Sequence, residues 1–271
     1  GRVNHAAVRS VIHSTARGRI LLVPNRGRAF KTDVLPLPVL PEQSGTVSVR
    51  GGMSASELVP LETGEKVIGL APLTGEGSPG LALGTKFGVV KVCAPEWPVR
   101  SDEFDVITLK DGDEVLEAVW LADGSETLVF VTSDASLLRF AAKMVRPQGL
   151  KGGGMAGINL TADADVVSFN VVSTRDHDHG EPMVVTATGT QVKVSPFASY
   201  PAKGRATGGV RVQRFLKGET RLTVAWVGPR PVGASATGDP VELPEPDARR
   251  DGSGAPVLMA PQIIGHLIER G

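Results

Sequence analysis

A chain of 271 residues, 41% of them hydrophobic, is long enough to bury a real core in one large or two ordinary domains. Aromatic residues are only 4%, whereas the 33 glycines and 20 prolines exceed average usage and indicate many short elements joined by turns. The single cysteine, Cys93, excludes an internal disulfide and a cysteine-rich metal site. The absence of a long apolar run or signal-like N-terminus predicts a soluble, cytoplasmic protein, and the net charge of zero, taken alone, argues against a polyanion as partner.

An apolar run, a short turn of Thr, Ser, Asn, Asp or Gly, and a second apolar run recur five times along the chain. This pattern is typical of β-hairpins. The predicted hairpins cover residues 18–31, 79–91, 126–139, 181–193 and 230–242. Their aligned last residues are Lys31, Lys91, Arg139, Lys193 and Glu242, with separations of 60, 48, 54 and 49 residues. The chain therefore repeats with a period of about 50 residues, close to that of a propeller blade.

Each hairpin is followed by a Pro- or Gly-rich segment, which we call the box of that unit, then by an acidic turn and an apolar strand. Four short strands per unit without a helical period predict an all-β, propeller-like disc of about five four-stranded blades. The predicted units are residues 12–73, 77–123, 124–173, 180–228 and 229–271, within one domain. A row of separate small β domains is the weaker alternative, because no linker divides the units. The last segment, QIIGHLIERG, is predicted to be a strand that closes the ring.

The charges are segregated along the chain although they cancel overall. Residues 1–50 hold eight Lys and Arg against two Asp and Glu, residues 101–150 hold four against ten, and residues 201–250 hold nine against five. Such asymmetry is compatible with a basic face that binds a nucleic acid, and equally with chance patterning of a solvated surface.

The repeat unit resembles a known family. The stretch RGRAFKTDVLPLP (26–38), followed by SVRGGMSASELVPLETGEKVIGLAPL (48–73), is similar to repeats in the C-terminal domain of bacterial type IIA DNA topoisomerase A subunits, those of DNA gyrase and topoisomerase IV. The segments RPQGLKGGGMAGINL and SYPAKGRATGGVRVQRFLKGE show the same order. The resemblance implies a β-pinwheel, whose blades exchange strands with their neighbours, and a rim that binds and bends double-stranded DNA.

The resemblance also implies the context of the chain. The parent enzyme would be an ATP-dependent isomerase, a heterotetramer of A subunits and ATPase subunits that is associated with the chromosome. This chain would carry no cofactor and no catalytic site of its own, because the family uses ATP and Mg²⁺ in other domains. No membrane partner is expected.

Lysines and arginines spaced around a rigid rim could track DNA phosphates without reading sequence. The glycine-rich parts of the third and fourth boxes, LKGGGMAG (150–157) and AKGRATGG (202–209), would let backbone amides approach a phosphate, although strand exchange alone would also need glycines. The aligned hairpin cations could equally be solvated strand ends. The predicted DNA-binding residues are Arg26, Arg28, Lys31, Arg50, Lys91, Arg139, Lys143, Arg146, Lys151, Lys193, Lys203, Arg205, Arg211 and Arg214.

The sequence also departs from the family. The Q-R-R-G-G-K-G heptapeptide that marks gyrase has no match, the second box is acidic (APEWPVRSDEFDV, 94–106), and the fifth has one basic pair in PDARRDGSGAP (246–256). These departures favour a topoisomerase IV-like protein that relaxes and decatenates DNA. A gyrase wrapping domain whose heptapeptide lies before Gly1 is the alternative, and a propeller-type protein-interaction module is the alternative of another class.

Catalytic and metal sites are not predicted. The only tyrosine, Tyr200, has no adjacent arginine and is expected to pack or contact DNA, and no phosphate-binding loop or nucleophile elbow occurs. His177 and His179 in RDHDHG (175–180) would share a strand face, but an exposed loop between blades is the favoured interpretation over a zinc site.

Overall fold

In the computed structural model, which describes residues 5–41, 45–173 and 180–270, the five predicted hairpins are confirmed. They are formed by ten strands: β1 (Arg19–Pro24) with β2 (Arg28–Asp33), β5 (Leu81–Thr85) with β6 (Val89–Cys93), β9 (Thr127–Thr132) with β10 (Ser136–Ala141), β13 (Pro182–Ala187) with β14 (Gln191–Pro196), and β17 (Pro231–Ala234) with β18 (Pro240–Val241). Helical structure is limited, in the described residues, to the short 3₁₀ turns Ala55–Glu57, Ala142–Met144 and Phe197–Ser199.

Each hairpin is extended on its inner side by the apolar strand that ends its unit. These inner strands are β4 (Val67–Pro72), β8 (Val115–Trp120), β12 (Val166–Val172), β16 (Val224–Pro229) and β20 (Ile263–His266). They pack against one another in the order β4, β8, β12, β16, β20, and β4 also pairs in parallel with β8 through Gly69 and Ala118. A close approach at Gly69 explains the glycine there, since a Cβ would lie 2.2 Å from the Ala118 carbonyl oxygen.

The outermost strand of a blade comes from the following unit, as a pinwheel requires. The exchanged strands are β7 (Glu103–Asp105) on β2, β11 (Met155–Ala156) on β6, β15 (Val210–Arg211) on β10 and β19 (Ala255–Pro256) on β14. The first four blades therefore have four strands each. The fifth has three in the described part of the chain, ordered β18-β17-β20, so the expectation of five four-stranded blades is corrected there.

Buried apolar side chains fill the spaces between adjacent blades. One cluster joins the second and third blades around Phe130, Phe140 and Phe169, and another joins the third and fourth around Leu137, Val184 and Val227. Because a blade has two apolar faces, neighbours must stack to cover both. The described part of the chain contains no helix that is long and apolar enough to cross a membrane.

The two ends of the chain meet at the seam between the fifth and first units. Val8 and His266 exchange main-chain hydrogen bonds of 3.1 and 2.8 Å, which adds residue 8 to the free side of β20. The terminal strand β21 (Glu269–Arg270) pairs with β3 (Gly45–Thr46). The C-terminal segment is thus extended, as predicted, but as two short strands rather than one: β20 belongs to the fifth blade, and β21 makes the contact with the first unit.

Candidate nucleic-acid interface

The four basic residues that the sequence alignment places together occupy two structural positions. The exchanged strands pair with Ala29, Val90, Leu137 and Val192 of the four hairpins. Lys31 and Arg139 lie two residues after the paired residue of their own hairpin, Ala29 and Leu137 respectively. Lys91 and Lys193 lie only one residue after theirs, Val90 and Val192. Because side chains alternate between faces along a strand, the two pairs point to opposite faces.

Lys91 and Lys193 are buried, so the prediction that they contact DNA is wrong. The Lys91 ammonium donates hydrogen bonds to the carbonyls of Val106, Leu150 and Gly152 at 2.7 to 2.9 Å. Lys193 donates to the Arg250 carbonyl at 2.6 Å. Burial lowers the pKa of both side chains, that of Lys193 to about 8. These lysines hold the exchanged boxes in place through carbonyls.

Lys31 and Arg139 are half-buried and also bind carbonyls. Lys31 donates to the carbonyl of Pro98. The Arg139 guanidinium lies over the Phe197 ring at 4.1 Å from its centroid, and desolvation by burial lowers its pKa. Both side chains join a blade to a loop of the following unit, which leaves them poorly placed for phosphate.

The exposed Glu242 follows the edge strand β18, which no described strand covers. No described box is exchanged onto this edge, so there are no box carbonyls that need a cation as their hydrogen-bond donor. Pro240 begins this short strand, and a proline and a charge are common protections of a sheet edge. The reversed charge thus marks the blade that receives no strand.

Arg26 and Arg28 of the first unit are neutralised by carboxylates of the fold. Arg28 forms ion pairs of 2.6 Å with both Glu65 and Glu103, and Arg26 pairs with Glu62 at 3.2 Å. The hydrogen bond from Arg28 is the main cause that lowers the pKa of Glu65. The acidic turn of the same unit supplies Glu62 and Glu65, a signal that the sequence contained, whereas Glu103 arrives by strand exchange.

The basic residues in and beside the third and fourth boxes are different. Among the described residues, no carboxylate lies within ion-pair distance of the following exposed side chains. They are Lys143, Arg146, Lys151, Lys203, Arg211 and Arg214, together with Lys217, which extends the basic run of the fourth unit. Arg50 of the first unit is also exposed, whereas the half-buried Arg205 donates to the Ala156 carbonyl at 2.7 Å.

Neighbouring boxes are hydrogen-bonded to one another, so these cations lie on connected loops. The main-chain N–H of Ala206 donates to the Gly157 carbonyl at 2.8 Å, and the main-chain N–H of Asn159 donates to the Thr207 carbonyl at 3.0 Å. The third and fourth boxes therefore form one surface across two exchanged strands. The second box brings Asp102 and Glu103 to the first blade instead.

Two sets of glycines in the third and fourth boxes differ in their surroundings. Gly154 and Gly209 precede the exchanged strands with φ of 80° and 77°, and a Cβ would lie 2.7 and 2.4 Å from carbonyl oxygens of the covered strands. Strand exchange explains these two. Gly149, Gly204 and Gly208 have open space at the Cβ position and no positive φ, so packing does not explain them.

Tyr200 is a packing residue rather than a nucleophile. It is buried, and its hydroxyl lies 2.8 Å from the Ser195 hydroxyl. Burial is the main cause that raises its pKa to about 12. Within the described ranges no three His, Cys, Asp or Glu side chains are grouped to hold a metal ion, and His177 and His179 lie outside those ranges.

Comparison with known proteins gives a consistent result. Residues 126–173 and 191–225 match the family described as DNA gyrase C-terminal domain, beta-propeller. The DNA gyrase A protein of Staphylococcus epidermidis (strain ATCC 12228 / FDA PCI 1200) is 30% identical over 206 residues, which are 75% of this chain and 22% of the relative. The chain thus spans about a fifth of the length of the curated relatives it matches.

Two solved structures share the fold. The C-terminal domain of DNA topoisomerase IV matches with a TM-score of 0.74 at 21% identity, covering 90% of this chain and 76% of that chain. The DNA gyrase A C-terminal domain matches with a TM-score of 0.67 at 15% identity, covering 99% and 92%.

Proposed function

Because this chain belongs to the family of C-terminal domains of type IIA DNA topoisomerase A subunits, we propose that it binds double-stranded DNA on its third and fourth boxes and bends it there. One observation carries the proposal: the exposed cations of these connected boxes have no carboxylate partner among the described residues, unlike Arg26 and Arg28 of the first unit. Free cations can replace the condensed counterions of the DNA backbone, whereas paired ones gain little.

The contacts are made to phosphates and carry no sequence information. Arg211 and Arg214 lie close in sequence on the fourth box, and Lys151 lies on the neighbouring third box. Gly204 and Gly208 let the DNA backbone approach the loop, which accounts for glycines that packing leaves unexplained. Bending 20 to 30 base pairs costs roughly 1 to 6 kcal/mol, so several such contacts must act together.

The parent enzyme, under this proposal, is an ATP-dependent DNA topoisomerase that works with an ATPase subunit on chromosomal DNA. We favour the topoisomerase IV type, which relaxes and decatenates, because the exposed cations without a carboxylate partner are concentrated, in the described part of the chain, in and beside two adjacent boxes. The first, second and fifth boxes carry one such cation each, Arg50, Arg100 and Arg250. A short footprint suits a bend rather than a wrap. Ligation of nicked circular DNA with the domain bound tests this point: a bend leaves the linking number nearly unchanged, and a positive shift would assign the chain to gyrase.

Binding itself is tested by an electrophoretic mobility titration on a duplex of more than 100 base pairs at two salt concentrations. We expect a shift at low salt and a steep loss of affinity towards physiological salt. Absence of a shift at low salt would reject DNA binding and favour a protein-interaction module. The exposed Leu258 and Met259 beside Glu242 would then be the first surface to test.

A further inference from the structure

The N-terminal segment, residues 7–12, contacts three different blades in succession. Val8 pairs with β20 of the fifth blade, Arg9 forms an ion pair with Glu117 on β8 of the second blade, and Ile12 packs against the core of the first blade. No main-chain pairing joins β20 directly to β4 in the described residues. The segment therefore fills the seam that separates the last unit from the first.

The fit of this segment is close. Gly265 of β20 lies directly beneath it, and a Cβ at that position would come within 2.8 Å of the Val8 carbonyl oxygen and 2.9 Å of the Ala7 carbonyl carbon. Ala7 is itself buried. The two main chains lie too close for a side chain at this position, and a glycine allows that approach.

Arg9 reaches into a central cavity of about 600 Å³ that the inner strands of all five blades line. There its guanidinium lies 2.5 Å from a carboxylate oxygen of Glu117. The two partners are buried unequally, since the Glu117 side chain is 5% exposed and that of Arg9 is 41% exposed. If the segment left, Arg9 would be solvated at once, and Glu117 would face an open cavity.

We infer that residues 7–12 are a latch that closes the seam between the fifth and first blades, and that its release opens the disc. The inference goes beyond DNA binding, because it concerns the shape of the domain without any ligand. The strand pair of β3 with β21 also joins the fifth unit to the first. Release of the latch therefore opens the seam first on the side of the central cavity.

The latch responds to pH through Glu117. Burial is the main cause that raises the pKa of this carboxyl to about 7, and the Arg9 charge opposes it. Lys66 and Glu114, from the loops before β4 and β8, are the other charged side chains that line the cavity; β12, β16 and β20 present uncharged residues to it. The closed form thus binds a proton more tightly than an open form with an ordinary carboxyl pKa near 4.5. Closure is therefore most favourable at low pH. It becomes less favourable as the pH rises from about 4.5 to 7, and above pH 7 it changes little further.

The two partners of the ion pair predict opposite effects. Arg9→Gln leaves a buried carboxylate without its cation, which opens the ring, because breaking a buried pair from one side is strongly unfavourable. Glu117→Gln removes the buried charge and leaves Arg9 partly solvated, which closes the ring further at pH 8. A merely structural contact would make both substitutions open it.

The test is single-molecule energy transfer between dyes at Thr63→Cys and Ala236→Cys, exposed positions on the first and fifth units, with buried Cys93 left in place. At pH 8 we expect the open-to-closed ratio to rise at least roughly tenfold in Arg9→Gln and to fall in Glu117→Gln. Between pH 6 and pH 8 the wild-type ratio should rise about tenfold, and Glu117→Gln should remove that dependence. Arg17→Gln, an exposed neighbour, is the matched control.

Three results would overturn the latch: an unchanged ratio in Arg9→Gln, an opening in Glu117→Gln equal to that in Arg9→Gln, or a pH dependence that persists in Glu117→Gln. Far-ultraviolet circular dichroism of each variant shows that the blades remain folded. No DNA is present in the assay, so failure of the latch leaves the DNA-binding proposal to its own test.

Discussion

The first unit and the fourth unit are both basic in sequence, yet the fold treats their cations differently. In the first unit, Arg26 and Arg28 are held by carboxylates of the acidic turn and of the exchanged strand. In the fourth unit, Arg211 and Arg214 project from an exchanged strand and its loop without such partners in the described chain. A repeat protein can therefore place the same residue type in every unit, neutralise it with carboxylates in one and leave it unpaired in another. Partners, rather than charge counts, distinguish the two uses.

The largest expected effect comes from removing the unpaired arginines of the fourth unit. We expect Arg211→Gln with Arg214→Gln to lower DNA affinity tenfold or more at low salt. If both side chains contact phosphates, the slope of log affinity against log salt should fall by about 1.8, since each contact contributes roughly 0.9. Mobility titrations at several salt concentrations measure both quantities.

The matched pair is Arg19→Gln with Arg26→Gln in the first unit, where both arginines already have carboxylate partners. Their removal should leave affinity and salt slope nearly unchanged. Equal losses in the two double variants would remove the distinction between the units.

A second prediction separates cations that hold the fold from those that are free. Lys193→Met and Lys91→Met should each lower the free energy of unfolding by about 1 to 3 kcal/mol, because they leave buried carbonyl acceptors unpaired. DNA affinity of the folded protein should not change. Urea denaturation measures the loss, with Lys203→Met, an exposed side chain, as the control.

The same substitution has a pH signature. Because burial lowers the pKa of Lys193 to about 8 in the folded state from the ordinary 10.5, the unfolded chain binds a proton between these values that the folded chain does not. The contribution of this group to stability is therefore smallest below about pH 8 and rises from there to about pH 10.5. Lys193→Met should lack that rise, and an identical pH profile would contradict the assignment.

The repeat predicted far more of the fold than of the site. Period and turn residues were enough to place five hairpins, their inner strands and the terminal strand, because hydrophobic alternation and glycine turns are local signals. The sequence alignment places Lys91 level with Lys31, but in the structure Lys91 lies one residue closer to the paired residue of its hairpin. A difference of one residue moves a side chain to the opposite face of the strand. Its burial could not be foreseen, since its carbonyl partners Leu150 and Gly152 arrive from a later unit.

The partners of Arg28 show the same limit. Glu65 lies in the acidic turn of its own unit and was visible as a candidate partner, whereas Glu103 is 75 residues away and meets it only through strand exchange. Local sequence shows which residues are charged. Only the topology shows which of them are neutralised.

A smaller effect is expected from the glycines of the fourth box. Gly204→Ala with Gly208→Ala should keep or slightly raise stability, because both positions have open space and ordinary φ. DNA affinity should fall a few-fold if the backbone there approaches phosphate. Gly209→Ala is the contrasting variant: it should destabilise the fold, since its φ is 77° and its Cβ would meet the Leu137 carbonyl oxygen. Unchanged affinity in the double alanine variant would limit DNA contact to the side chains.

The smallest effect should come from freeing the arginines of the first unit from their carboxylate partners. Glu62→Gln with Glu103→Gln removes two exposed carboxylates that neutralise Arg26 and Arg28, while the buried Glu65 stays to hold Arg28. Exposed ion pairs are worth little, so the fold should lose less than about 1 kcal/mol. DNA affinity should rise about two- to threefold, because one arginine is released fully and the other in part, and the salt slope should steepen by less than the roughly 1.8 expected of two full contacts. If affinity did not rise, the first unit would be kept from DNA by its position on the disc rather than by its carboxylates, and pairing would not be the property that separates it from the fourth.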